Sequence, residues 1–309
     1  MTKVLVTPRS FGKYNRDEIV KLFAEKGIEV EFNPYGQIMT EEQMKECIKD
    51  KDGVIVGVDP LNEEVLAEAQ QLKAIAKYGV GLDNIDLDYA NKKQIKVSKT
   101  VSANSNAVAD YSFALLMSVA RRVVEINNEA KDGNWQKTVA LDVHGKKIGI
   151  IGLGAIGRGV VKRAQGFEMD VYGYDIYRDD EYIKENNIHF TDIDTIIKEC
   201  DFISIHMPLT PETKHLFNRD NLKNAKENLI IINTARGGIV DEDALYDLLK
   251  DKKIYGAGVD VFEEEPAQES KLLELENVVI GCHTAASTIG ATEMMSMMAS
   301  KNIIEDLGA

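Results

Sequence analysis

Three residues of unlike chemistry each stand just beyond an apolar run. Arg236 follows Leu229-Ile230-Ile231-Ile232-Asn233, Glu265 follows Gly258-Val259-Asp260-Val261-Phe262, and His283 follows Val278-Val279-Ile280-Gly281-Cys282. If the runs are parallel strands, ligands bind beyond their carboxyl ends. A guanidinium, a carboxylate and an imidazole brought to one rim suit a reaction that moves a proton and a hydride together. Each also has an ordinary reading. Arg236 can be a surface ion-pair partner, and His283 a satisfied core or surface histidine. Glu265 closes the run Glu263-Glu264-Glu265, which resembles a solvated turn, and His206 at another strand end is a rival proton carrier.

A second constellation is more specific. Gly152-Leu153-Gly154-Ala155-Ile156-Gly157 follows the apolar run Ile148–Ile151 and precedes Asp175. A strand that turns sharply into a helix points the helix's first N–H groups at a pyrophosphate, and glycines let the backbone come that close. Gly152 is expected to make the turn and Gly154 to admit the pyrophosphate. Ala155 and Ile156 open the helix, which runs from Ala155 to Gly166, and Gly157 lets it pack on its strand. Asp175 closes the strand Val171–Tyr174 and stands 21 residues beyond Gly154, close to the roughly 20 expected of a ribose-binding acid. That acid favours NAD over NADP, with Arg178 nearby as the counter-indication. A P-loop is excluded because Arg158 and Gly159 follow Gly157.

The elements that must position these groups read as α/β throughout. Strands are expected at Val4–Thr7, Glu29–Phe32, Val54–Val56 and Ala74–Lys77, with helices between them. Thr40-x-x-Gln43 has the form of a capping box and Asn62 of a helix cap. One long helix from about Asn104 to Asn128 follows, nearly all apolar between Phe113 and Ala120, and is expected to bridge two domains. From Lys147 the alternation restarts through Phe202–Ile205, Leu229–Asn233, Tyr255–Val259 and Val278–Ile280, a full doubly wound sheet. A last helix begins near Thr288, its methionines Met294, Met295, Met297 and Met298 serving as packing rather than as a metal site.

The 309 residues, 44 % of them apolar, are enough for about two domains. Acidic residues outnumber basic ones 51 to 37, a net charge of −14 that disfavours nucleic acid and anionic membranes as partners. No signal peptide or membrane-length apolar run is visible. Cys47, Cys200 and Cys282 lie far apart without a Cys-x-x-Cys pair, so no disulfide framework or metal centre is expected, and a reducing cytoplasm fits best.

The motifs together resemble the D-isomer-specific 2-hydroxyacid dehydrogenases, most of all the phosphoglycerate dehydrogenase branch, over nearly the whole chain. They include Lys77-Tyr78-Gly79-Val80-Gly81-Leu82-Asp83-Asn84-Ile85-Asp86, the dinucleotide turn and His206-Met207-Pro208-Leu209-Thr210-Pro211-Glu212-Thr213. Asn233-Thr234-Ala235-Arg236-Gly237-Gly238, Gly258–Pro266 and His283-Thr284-Ala285-Ala286-Ser287-Thr288 complete the set. The resemblance implies two doubly wound parallel-sheet α/β domains: a Rossmann NAD-binding domain over 103–282 and a smaller flavodoxin-like substrate domain from 1–102 and 283–309.

It also implies that Arg236 binds the substrate carboxylate and polarises the C2 oxygen, that His283 is the acid–base and that Glu265 orients its imidazole. Lys77, Gly79, Val80 and Gly81 would complete the substrate site, in a cleft between the domains. His206, Pro208, Thr213, Thr234 and Ala235 would lie along the cofactor, with Asp260 facing the nicotinamide amide. The expected reaction is hydride transfer between NAD and C2 of a small D-2-hydroxy acid or its 2-oxo acid, by a homodimer. In this reading 3-phosphoglycerate leads, ahead of glyoxylate, hydroxypyruvate or another unphosphorylated acid. One departure bears on that choice: where the branch places an arginine after the third strand, this chain has Gly57-Val58-Asp59-Pro60. A reading of another class, an NAD(H)-sensing regulatory protein, is disfavoured by the presence of Arg236, Glu265 and His283 together.

Overall fold

A computed structural model describes residues 1–309, which divide into two compact units, Met1–Asn104 with Ala286–Ala309, and Ser105–Ala285. The division falls at 104/105 and 285/286. His283, expected with the substrate domain, therefore sits in the larger unit with Arg236 and Glu265.

The smaller unit holds five parallel strands, β1 (Thr2–Val6), β2 (Ile28–Phe32), β3 (Gly53–Val56), β4 (Ala74–Lys77) and β5 (Lys96–Lys99), in the spatial order β2-β1-β3-β4-β5. That is the flavodoxin-like order. β3 and β4 are buried along their whole length, as central parallel strands covered on both faces must be. β5 was not legible because it is an edge strand: Lys96-Val97-Ser98-Lys99 carries one apolar residue and exposes both lysines. Thr40 and Gln43 form the expected capping box, Asn62 accepts from the Val65 N–H, and Thr288 caps the last helix, Ile289–Asp306. Met295 is buried in that helix while Met294 is exposed.

The larger unit holds seven parallel strands, β6 (Lys147–Ile151), β7 (Asp170–Tyr174), β8 (His189–Phe190), β9 (Phe202–Ile205), β10 (Ile230–Asn233), β11 (Gly256–Val259) and β12 (Val278–Ile280). Their order, β12-β11-β10-β9-β6-β7-β8, is the doubly wound Rossmann arrangement with its reversal between β6 and β9. The two-residue edge strand β8 is too short to leave an apolar period in the sequence. Two apolar clusters cover the faces of the sheet, one built around Ile203, Ile231 and Phe217 and the other around Ile150, Ile232 and Phe113.

The single helix expected over 104–128 is two, Ser105–Ala120 and Val123–Lys131. The first lays Phe113, Leu116 and Val119 on the sheet of the larger unit. It stops because the Ala120 carbonyl accepts from the Leu141 N–H and Arg122 turns left-handed at φ +52°. Such a conformation costs a non-glycine residue about 1–2 kcal/mol. The two-pronged contact of the Arg122 guanidinium with Glu125 helps to offset that cost.

Candidate active site

The dinucleotide turn has the geometry its glycines promised. Gly152 adopts φ +96°, and a Cβ there would lie 2.6 Å from the His206 carbonyl oxygen, where β6 and β9 part. A Cβ on Gly157 would overlap the Gly152 carbonyl, so helix and strand pack as closely as they do only because both residues lack side chains. Gly154 caps the helix Ala155–Gly166 without a side chain, and its own Cβ would point into open space. The helices beginning at Glu41, Glu63, Asp180 and Glu242 carry side-chain caps and acids in the first turn. This one carries neither, so the N–H groups around Ala155 and Ile156 are left for an anion. The residues fit a dinucleotide pyrophosphate.

Asp175 stands at the end of β7, half-buried. Its carboxylate accepts from the Leu153 N–H at 2.6 Å and the Tyr177 N–H at 2.9 Å, tying it to the turn. The nearby Arg178 guanidinium is paired with Asp180 at 2.6 Å and stacked over Phe190. On the other side of the turn, His206 follows β9. Its Nε2 meets the Ser204 hydroxyl at 2.8 Å, and burial pushes the imidazole down to about 3. A ring held neutral, with no carboxylate beside it, is less suited to proton transfer near pH 7 than one paired with a carboxylate. Thr213 is buried and knots its own loop: its hydroxyl donates to the Pro208 carbonyl at 2.8 Å and accepts from the Thr210 N–H at 2.7 Å. Pro208 is left exposed. The Thr234 hydroxyl meets Ser112 at 2.8 Å and so fastens the turn after β10 to the helix Ser105–Ala120.

That turn carries Arg236. Asn233 staples it, its amide donating to the Arg236 carbonyl at 2.9 Å while its oxygen accepts from the Ala235 N–H at 3.1 Å. The Arg236 guanidinium, half-buried, donates to the Ala235 carbonyl at 2.7 Å. Gly237 next to it is pressed on the loop that holds Glu265, since a Cβ at 237 would fall 2.5 Å from the Glu263 nitrogen and closer still to the Phe262 carbonyl.

His283 and Glu265 form a pair, Nδ1 to Oε2 at 2.8 Å, both partly exposed. The other Glu265 oxygen accepts from the Phe262 N–H at 3.1 Å. Burial pushes the Glu265 carboxyl up, but the His283 contact, the Phe262 N–H and the Arg236 charge outweigh it and leave it below the ordinary range. With Nδ1 engaged, Nε2 is the nitrogen left for another partner. His283 itself is left-handed at φ +54°, a conformation that a non-glycine residue keeps only where its surroundings impose it.

Asp260 imposes it. Its carbonyl accepts from the His283 N–H at 2.7 Å, and its two carboxylate oxygens accept from the Thr284 N–H at 3.0 Å and the Ala285 N–H at 2.9 Å. The side chain is buried, which pushes its carboxyl above the usual range against the pull of those donors. Asp260 was expected to face the nicotinamide; the contacts it makes within the protein shape the His283 loop, a task with no sequence signal beyond its place at the end of β11.

In the smaller unit, Lys77 at the end of β4 is buried. Its ammonium donates to the Gly57 carbonyl and to Asn84. Gly79 is held through its N–H to the Thr100 hydroxyl at 2.8 Å, and the N–H groups of Val80 and Gly81 meet no protein acceptor. Asp59 is sunk beneath the same rim, accepting from the Thr7 hydroxyl and, at 2.8 Å, the Met39 N–H.

A family profile described as "D-isomer specific 2-hydroxyacid dehydrogenase, NAD binding domain" matches residues 113–285. The chain is 42 % identical over 269 residues to a glyoxylate reductase of Thermococcus litoralis, covering 84 % of this chain and 81 % of that one. It is 38 % identical over 307 residues to a D-3-phosphoglycerate dehydrogenase of Methanocaldococcus jannaschii, covering 98 % of this chain and 57 % of that one. Among solved structures, D-lactate dehydrogenase from Aquifex aeolicus complexed with NAD and lactic acid superposes with a TM-score of 0.84 at 30 % identity, covering 96 % of this chain and 93 % of that one.

Proposed function

Because the chain belongs to the D-isomer-specific 2-hydroxyacid dehydrogenase family and is an NAD-dependent dehydrogenase, we propose that it reduces a small unphosphorylated 2-oxo acid of the glyoxylate or hydroxypyruvate class. The observation that carries the choice is the rim of the smaller unit. Beyond β3, where a substrate phosphate would need a cation, stand Gly57 and the exposed Val58, while Asp59 is buried and the Lys77 ammonium is committed to the Gly57 carbonyl and Asn84. The glyoxylate and hydroxypyruvate reductases among its relatives point the same way.

NADH, when bound, supplies the hydride that C2 of the oxo acid accepts. The chain's own residues do the rest. Arg236 grips the carboxylate with a planar fork that lysine lacks and stabilises charge growing on the C2 oxygen. In the smaller unit, the loop that Gly79 and Lys77 hold in shape leaves the N–H groups of Val80 and Gly81 open to an anion. His283 gives a proton to the C2 oxygen from Nε2, and Glu265 across the ring steadies the imidazolium that precedes the transfer. Asp175 holds the adenosine ribose. The exposed Trp135 and Val139 support a homodimer, which a single-chain mass in sedimentation would refute.

The second reading, 3-phosphoglycerate oxidation, is favoured by the M. jannaschii relative and by Arg9, an exposed cation three residues past β1 on the rim that β1 shares with β3. Initial rates of NADH oxidation with glyoxylate, hydroxypyruvate, pyruvate and phosphohydroxypyruvate decide between them, with His283→Ala and Arg9→Ala as controls. We expect hydroxypyruvate or glyoxylate to lead, with activity dependent on His283 and indifferent to Arg9. A preference for phosphohydroxypyruvate that Arg9→Ala abolishes would establish the second reading instead.

A further inference from the structure

Outside the residues that meet substrate or cofactor, one carboxylate is built into the support of the acid–base pair. Glu242 is the first residue of the helix Glu242–Lys250, and its side chain leaves the helix for the loop after β11. One oxygen accepts from the Glu263 N–H at 2.5 Å and the other from the Ser270 hydroxyl at 3.1 Å. Glu263 answers in kind: its carboxylate accepts from the Glu242 N–H at 3.3 Å, a donor the helix start would otherwise leave unpaired, and meets His215 Nε2 at 3.1 Å. The next residue back, Phe262, gives its N–H to Glu265, and Glu265 holds His283. The loop is thus gripped on one side by Glu242 and packed on the other by Gly237.

We propose that Glu242 is a positioning residue for proton transfer: by holding the Glu263 N–H it fixes the 262–265 loop, and so the distance and angle at which Glu265 meets His283. A carboxylate suits this task because a hydrogen bond to a charged acceptor is stronger than one to a neutral acceptor. The charged and titratable groups around it are Glu263 and His215, Asp241 and Asp243 at the start of its own helix, Lys271, which is paired with Asp243, and Glu264 and Glu269 from the loop after β11. None of these touches the reactants. Glu242 can act this way only if Glu265 and His283 carry the proton, as proposed above.

The test uses full-length Glu242→Ala, Glu242→Gln and Glu242→Asp, with Glu265→Gln alone and combined with Glu242→Ala. Reduction of hydroxypyruvate or glyoxylate, whichever the wild type prefers, is followed from pH 5.5 to 9.5. NADH binding and thermal midpoint are read alongside. Glu242→Ala is expected to lose about tenfold in kcat, with the alkaline limb of kcat/KM moved to lower pH because the imidazolium has lost part of its support. Glu242→Gln, which keeps an acceptor for the Glu263 N–H, should stay within about threefold of wild type. In the Glu265→Gln background, Glu242→Ala should cost nothing further.

An unshifted profile for Glu242→Ala, or losses that multiply in the double variant, would overturn the proposal. If the alanine variant does not fold, Glu242→Asp decides, because its shorter reach must move the same limb in the same direction. Wild-type turnover that survives His283→Ala would instead refute the assignment of the acid–base pair, independently of Glu242.

Discussion

Replacing Gly237 by alanine tests whether the arginine turn and the glutamate loop are one mechanical unit. The new Cβ would lie 2.5 Å from the Glu263 nitrogen and closer still to the Phe262 carbonyl, whereas ordinary contact begins at 3.4 Å, so turn or loop must yield by well over 0.9 Å. Both neighbours are backbone, and neither can rotate away. The Glu265–His283 contact is 2.8 Å long, and a displacement of that size along it passes the 3.5 Å limit of a hydrogen bond. A lost charge-assisted bond is worth about 1.5–3 kcal/mol, or roughly 10- to 150-fold in kcat/KM. Overpacking adds a stability cost of about 1–3 kcal/mol, a fall of several degrees in the thermal midpoint for a unit of this size. The assay is kcat/KM for the preferred 2-oxo acid at 25 °C and pH 7, with circular dichroism to confirm folding and NADH fluorescence to confirm cofactor binding. Wild-type activity at an unchanged thermal midpoint would refute the reasoning, since the turn and loop would then have room that the structure denies them.

Cofactor choice follows from Asp175. Asp175→Ala should weaken NADH use by about tenfold while leaving NADPH use equal or improved, because the acid that would oppose a 2′-phosphate is gone; parallel titrations of the two cofactors check this, and equal losses for both would contradict it. The His206 ring, neutral in the fold, binds a proton in the unfolded chain below about pH 6.5. The unfolded state therefore gains protons first, and stability falls as pH drops from about 6.5 toward 3, by as much as ~1.4 kcal/mol per pH unit from this group. His206→Gln should flatten that part of the urea-midpoint profile between pH 6.5 and 4.5, and an unchanged slope would count against a neutral ring.

Much of the protein was legible along the chain wherever the physics is local. Gly152 and Gly157 announce a turn because only residues without a Cβ can approach backbone so closely. Thr40, Asn62 and Thr288 announce helix starts because their side chains reach an N–H three residues away. Central strands reveal themselves through continuous apolar runs, since both faces are covered. The edge strands β5 and β8 did not, because an edge can be short or carry lysines without cost to the core. The break at Arg122 was hidden for a related reason: the residues on either side read as helix, and the contact of Ala120 with Leu141 and the left-handed turn at Arg122 appear only in the fold.

The site divides in the same way. Arg236, Glu265 and His283 could be named from strand ends and motif resemblance, but nothing along the chain says that Nδ1 of His283 faces Glu265. Nor does it say that the half-buried His206 ring is held neutral, or that Asp260 spends its carboxylate on the backbone of residues 284 and 285. Glu242 and Gly237 were invisible as supports, because the loop they grip lies some twenty residues further on. Sequence by itself determined which groups and turns exist, since backbone geometry and side-chain chemistry depend on near neighbours. Tertiary structure decided which proton carrier has a partner and what holds it in place, because desolvation and hydrogen-bond distance depend on segments far apart in the chain that only folding brings together.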